Sequence, residues 1–272
     1  MTSSLTVGVA QCPADLATSE ERLRWLSNTL ASNTGLRPDL IVLPELFQCG
    51  YNIGEAILDR AETPDGPFAE AIAELSRHHQ TAILYGFAER QDKTLFNTAQ
   101  CIDRTGRLIG QHRKLVLPPG FEENYFAPGH GCELFQLADF TVAILVCYDV
   151  EFPEALRHVA LNGADLVLVP TALGAQWGVV AESVVPARAF ENGVFLCYAN
   201  YTGQENHMHY YGGSCIIAPD GKALARAEQA NSGLSLAVLE KSAVERAQIR
   251  LPYHTDRFKL PWISKQRTDP EI

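Results

Sequence analysis

No apolar run in this chain approaches the roughly 20 residues that a membrane-crossing helix requires. Positive charge is scarce: 22 Lys and Arg stand against 32 Asp and Glu, a formal charge of −10. The first shortage excludes a transmembrane helix as the organising element. The second argues against nucleic acid or an anionic membrane surface as a partner. The N-terminal stretch MTSSLTVGVAQ lacks the basic-then-apolar order of a signal peptide. The seven cysteines, at 12, 49, 101, 132, 147, 197 and 215, are odd in number and include no Cys-x-x-Cys pair. A disulfide framework is therefore not expected, and a reducing cytoplasm is the expected compartment.

What is present is core material: 46% of the 272 residues are hydrophobic, and short apolar runs alternate with helical patterns. Strands are expected at 5–11, 39–47, 81–90, 141–147, 165–173, 194–201, 213–225 and 233–240, with a hairpin over 96–114 turning at Arg-Thr-Gly. Helices are expected at 19–32, with Ser19 as N-cap, and at 69–80, 152–164 and 179–193. Pro153 suits the first turn of the third helix and Gly163 its end; Pro186 should interrupt the fourth. The order predicts an α/β layered fold. The halves echo each other, VGVAQ–helix–DLIVLPELF against VAILVC–helix–ADLVLVPTAL, which predicts two similar sheets stacked face to face. No linker divides the chain, so one domain over 1–272 is expected. The tail from about 245 has weak periodicity and is expected to lie against a partner subunit.

Three elements end in an ionisable residue just past their apolar run: Glu45, Lys114 and Cys147. Strand ends in α/β sheets diverge into crevices where ligands bind. A thiol, an ammonium and a carboxylate can run acyl transfer, as nucleophile, oxyanion stabiliser and proton carrier. Spacing alone leaves the bland alternatives open: a buried cysteine, a turn glutamate, a surface lysine.

The segments LPELFQCGYNIG (43–54), HRKLVLP (112–118) and CYDVEFPE (147–154) together resemble the nitrilase, or carbon–nitrogen hydrolase, superfamily. LVPTA (168–172), ANYTG (199–203) and PDG (219–221) extend the resemblance, in order, over nearly the whole chain. It implies a four-layer αββα sandwich that forms a homodimer or larger homo-oligomer. It implies Glu45 as general base, Cys147 as nucleophile and Lys114 as oxyanion stabiliser, with the backbone N–H of Tyr148 as second oxyanion donor. A further glutamate falls in FEENYFAPG (121–129), with Glu122 the expected position and Glu123 its competitor. Asp149 and Glu151 are expected to brace the turn and to point away from the thiol. No metal and no organic cofactor is implied. His207 and His209 form a possible metal pair by spacing, but glycines nearby favour an exposed loop.

Within that superfamily CYDVEFPE, GYNIG and PARAFENG are most similar to short amidases acting on small amides, including amino acid amides and ω-amino amides, so a small-molecule amide is the expected substrate. Residues 171–187 contain no Lys or Arg, which disfavours substrates carrying a carboxylate. Ala172 is expected beside the acyl group and Trp177 as an apolar wall. Glu182 suits a solvated helix position better than a substrate ammonium, and Arg188 with Glu191 suits a structural ion pair. The alternatives are a nitrilase, an N-carbamoyl amide hydrolase, and a silent or redox-sensing relative.

Overall fold

The computed structural model describes residues 3–33, 35 and 37–265. In the first sheet β1 (Ser4–Pro13), β2 (Leu40–Val42) and β3 (Ala82–Gln91) run parallel, and β4 (Thr94–Ile102) and β5 (Leu108–Arg113) continue it antiparallel. The second sheet opens with β6 (Leu134–Leu137), antiparallel to β7 (Phe140–Ile144), which runs parallel with β8 (Leu166–Pro170) and β9 (Phe195–Ala199). The chain then returns: β10 (Tyr201–Glu205) and β11 (Met208–Tyr211) join the first sheet, β12 (Cys215–Ile217) and β13 (Ala223–Arg226) the second, and β14 (Gly233–Glu240) lies antiparallel along β1.

The two parallel triplets are the echo visible in the sequence, and they stack face to face. Val7, Val9, Leu40, Val42 and Leu84 of one sheet meet Val142, Ile144, Leu166, Leu168 and Cys197 of the other in one buried cluster. The helices Ser19–Ser32 and Pro67–His79 cover the outside of the first sheet through Leu26, Leu30, Phe68 and Ile72. The helices Pro153–Leu161 and Val185–Asn192 cover the second through Leu156, Val159, Val185 and Ala189. Strands buried on both faces carry continuous apolar runs for this reason. The fold is the expected αββα sandwich.

Several boundaries differ from the sequence reading, each for a local reason. The run 39–47 is a strand only to Val42, because Pro44 cannot donate to a ladder and Leu46 takes a positive φ of 50°. The run 141–147 ends at Ile144, and Cys147 opens a 3-10 turn instead. The run 194–201 breaks at Asn200, where the chain passes from the second sheet to the first; its carboxamide bonds Leu173 N–H at 2.9 Å and Gly212 C=O at 3.0 Å. The segment 213–225 splits into β12 and β13 around Gly221 (φ 81°). Pro186 does interrupt its helix: a π-turn over Val180–Val184 precedes it. The tail holds helices at Ser242–Arg250, Tyr253–Asp256 and Pro261–Lys265; the part of the expected contact segment beyond 265 lies outside the described residues.

The first helix is capped by Thr18, not Ser19. Thr18 Oγ1 accepts from Glu21 N–H at 3.2 Å and Glu21 Oε2 accepts from Thr18 N–H at 3.1 Å, a reciprocal capping box. Thr18→Ala should therefore lower unfolding stability by about 1 kcal/mol and Thr18→Ser by much less, read as a shift in the urea midpoint at constant slope.

Candidate active site

Both sheets direct strand ends to one region. Glu45 follows β2 and Lys114 follows β5, both strands of the first sheet; Glu122 sits in the short helix Phe121–Tyr125, and Cys147 follows β7 of the second sheet. Lys114 Nζ lies 2.7 Å from Glu45 Oε1 and 2.5 Å from Glu122 Oε1, with all three side chains fully buried. Glu122, not Glu123, makes this contact, and Glu123 is exposed. Asn97 on β4 donates to Glu45 Oε1 at 2.7 Å and to Glu122 Oε2 at 3.0 Å. Tyr51 donates its hydroxyl to Glu122 Oε1 at 2.7 Å. Glu45 Oε2 is buried without a hydrogen-bond partner.

The electrostatics follow from two carboxyls sharing one ammonium in a fully buried cluster. Burial pushes the Glu45 carboxyl up to about 7; Lys114 draws it down, and Glu122 opposes that by like charge. Burial works against the Lys114 ammonium, but Glu45 and Glu122 outweigh it and hold its pKa above the usual range. The Cys147 thiol is raised by desolvation first and by Glu45 second, with Lys114 acting in the opposite sense. At neutral pH the resting sulfur is therefore a thiol that requires a base, not a preformed thiolate. Glu45, with one oxygen free and a pKa close to neutrality, has the properties of that base.

The turn that opens with Cys147 is strained and clasped. Cys147 has φ 46°, a left-handed conformation that costs a non-glycine residue about 1–3 kcal/mol. Asp149, fully buried, compensates: it accepts from Val146 N–H at 3.1 Å, Leu115 N–H and Val116 N–H at 3.0 Å each, and lies 3.0 Å from His112 Nε2. Burial disfavours a charged His112, but its bonds to Asp149 and Cys132 outweigh that and raise its pKa to about 9. One carboxylate thus ties the Lys114 segment to the Cys147 turn. The expected bracing role of Asp149 is what the structure displays.

Glu151 differs from expectation. It lines a cavity of about 440 Å³ together with Tyr51, Cys147, Tyr148, Ala172, Trp177 and Met208. Its half-buried side chain faces that space because the 3-10 turn Cys147–Glu151 carries both of its end residues to the cavity wall. Tyr148, Ala172 and Trp177 are all in the wall, as expected; Trp177 is 58% exposed and forms the rim. Glu182 is exposed and accepts from the Tyr211 hydroxyl. Arg188 pairs with Glu191 at 3.1 Å. His207 sits in the turn between β10 and β11 and His209 on β11, both exposed, and no group of three or more metal-ligating side chains occurs among the described residues.

Four contributors escaped the sequence reading. Asn97 and Tyr51 hold the carboxylates. Gly86 and Gly129 hold the backbone: a Cβ on Gly86 would lie 2.4 Å from Leu46 N and 2.9 Å from Glu45 Cα, and one on Gly129 would lie 2.3 Å from Arg113 C=O. Asn97 stands 52 residues from the carboxylate that it bonds, and no local pattern encodes such a contact. Gly within a strand, however, is a usable signal of close backbone approach.

Gly86→Ala should displace the Glu45 loop and lower turnover by at least the roughly 10²-fold typical of an ångström-scale misplacement. A folded variant by circular dichroism with wild-type rate would contradict the packing argument.

Comparison with known proteins agrees with this geometry. The carbon–nitrogen hydrolase family matches residues 6–248. A Pseudomonas protegens protein described as a hydrolase in the pqqF 5′ region is 38% identical over 260 residues, 93% of this chain and 89% of that protein. A Pyrococcus abyssi protein named nitrilase is 32% identical, over 77% of this chain and 80% of its own length. The structure of a Glu-to-Gln mutant of the amidase from Nesterenkonia sp. AN1, with the acetamide moiety of fluoroacetamide added covalently at its active-site cysteine, superposes with a TM-score of 0.85 at 26% identity, covering 97% of each chain. On the match across most of its length and the shared sandwich, this chain belongs to the carbon–nitrogen hydrolase family, the nitrilase superfamily.

Proposed function

We propose that this hydrolase cleaves small carboxamides to the carboxylic acid and ammonia through a thioester on Cys147. The observation that carries the reading is Lys114 Nζ held between Glu45 and Glu122, with Cys147 opening onto the adjoining cavity.

Cys147 Sγ attacks the carbonyl carbon while Glu45 Oε2, the oxygen left without a partner, takes the thiol proton. The carbonyl oxygen becomes an oxyanion, held by the Lys114 ammonium and by the N–H of Tyr148. That N–H lies in the first turn of the 3-10 segment, where backbone donors have no partner within the helix. Glu45 returns the proton to nitrogen, the carbon–nitrogen bond breaks and ammonia leaves. Water then gives its proton to Glu45 and attacks the thioester; the acid departs as the sulfur regains its proton. Glu122, tied to Lys114, Asn97 and Tyr51, keeps the ammonium charged and in place. Tyr148, Ala172 and Trp177 shape the acyl site. The cavity, about 440 Å³, is in the range of small-ligand sites, which favours a short acyl group. The neighbouring amidase with its acetamide adduct supports an amide over a nitrile; the Pyrococcus nitrilase keeps nitrile cleavage as the second reading.

We also propose a homodimer that uses the C-terminal segment, where Ile249 and Trp262 are 81% and 65% exposed. Among the described residues no helix is long and apolar enough to cross a membrane.

The test is ammonia release from a panel of short amides, nitriles and N-carbamoyl compounds. Amides should be turned over and nitriles should not, with Cys147→Ala inactive and Lys114→Ala losing at least about 10²-fold. The base must be ionised to act, so kcat/KM should rise with pH through about 7 and be lost below it. Turnover of nitriles alone, or full activity of Cys147→Ala, would overturn the reading.

A further inference from the structure

Behind the candidate active site lies a second buried ion pair that the proposed mechanism does not use. Arg22, on the outer helix Ser19–Ser32, places Nη2 3.5 Å from Glu205 Oε1, and both side chains are buried. The guanidinium lies over the Tyr201 ring, and its Nε and Nη1 have no hydrogen-bond partner among the described residues. The other carboxylate oxygen is crowded with donors. Glu205 Oε2 accepts from Tyr51 N–H at 3.1 Å, from Asn52 N–H at 2.6 Å and from the Tyr210 hydroxyl at 2.7 Å. Two further bonds close the clamp: Asn52 Nδ2 donates to Glu205 C=O at 3.1 Å, and Asn206 Nδ2 donates to Asn52 C=O at 2.6 Å.

The segment held in this way carries Tyr51. Its ring packs against Phe121 at 5.5 Å between centroids. Its hydroxyl bonds Glu122 Oε1, the same oxygen that lies 2.5 Å from Lys114 Nζ. A path of direct contacts thus runs from Arg22 through Glu205, Tyr51 and Glu122 to Lys114. A buried ion pair adds little stability over apolar residues of the same volume. A carboxylate that collects consecutive backbone N–H groups does fix the place of a loop, through short charge-assisted bonds.

Building on the amidase reading, we propose that Glu205 is a positioning residue for the reaction. It acts through Tyr51: it holds residues 51–52 so that the Tyr51 hydroxyl keeps Glu122, and through it the Lys114 ammonium, in register with the oxyanion. Arg22 compensates the buried charge that this requires.

Removing Glu205 alone would leave Arg22 buried and unpaired and would endanger the fold, so the experiment removes both charges. It compares Arg22→Met/Glu205→Gln with Arg22→Met/Glu205→Met, each checked for folding by circular dichroism and thermal melting. The Gln variant keeps an acceptor for the Tyr51 and Asn52 N–H groups and the Met variant does not. With butyramide, kcat of the Gln variant should exceed that of the Met variant roughly tenfold, the worth of a hydrogen bond to a charged group. KM should be the same in both, because the oxyanion exists only as the reaction proceeds. Adding Tyr51→Phe should cost the Gln variant about the same factor and the Met variant almost nothing, since the hydroxyl there is already out of place. Equal kcat in the two folded double variants, a difference confined to KM, or a Tyr51→Phe loss that multiplies fully in both would overturn the positioning role and leave the amidase reading standing. No turnover of any amide by the wild type would overturn both.

Discussion

The arrangement on which everything else rests is a buried ammonium between two buried carboxylates. Glu45 and Glu122 place two carboxyls around the one Lys114 ammonium, all three side chains fully buried. Such a set persists only where every remaining donor is aimed inward, and Asn97 and Tyr51 are the donors that do this. The arrangement is asymmetric. Glu122 has partners at both oxygens, whereas Glu45 keeps one oxygen free. Burial lifts the Glu45 pKa toward neutrality, like charge on Glu122 adds to the rise and Lys114 opposes it, at the residue proposed to exchange protons.

A reaction needs that charge cluster registered against the thiol, and the two come from different sheets. Asp149 supplies the registration by collecting backbone donors from Leu115, Val116 and Val146. It also holds the strained turn that presents Cys147 and, four residues on, Glu151. Arg188 completes the clasp from the helix behind. Cys147 and Glu151 are therefore two ends of one 3-10 turn in the cavity wall.

Much of this was legible in the sequence because strand ends leave a local trace. An apolar run that stops at Glu45, Lys114 or Cys147 is visible without coordinates, and the repeated strand–helix–strand order gave the two stacked sheets. The misses share one cause. Asn97, Tyr51, Gly86 and Gly129 act on residues distant in the chain, and pattern reading has no access to such contacts. Spacing assigns Glu151 the same bracing role as Asp149, since it cannot say which of two nearby acids turns inward; the backbone bonds of Asp149 and the place of Glu151 in the cavity wall decide it. The single expected strand at 194–201 failed similarly, because Asn200 changes sheet through side-chain bonds to Leu173 and Gly212.

The central claim is that Glu45 and Lys114 direct acyl transfer to one of seven thiols. Intact-mass and peptide-mapping spectrometry of the wild-type protein, acid-quenched during turnover of a reactive short amide, tests it most directly, because the quench stops release of the acyl group. The account predicts a single acyl mass increment located on the peptide containing Cys147, absent from Cys147→Ala. An increment on Cys132 or another cysteine, or none with a folded protein and a substrate that the wild type consumes, would contradict it.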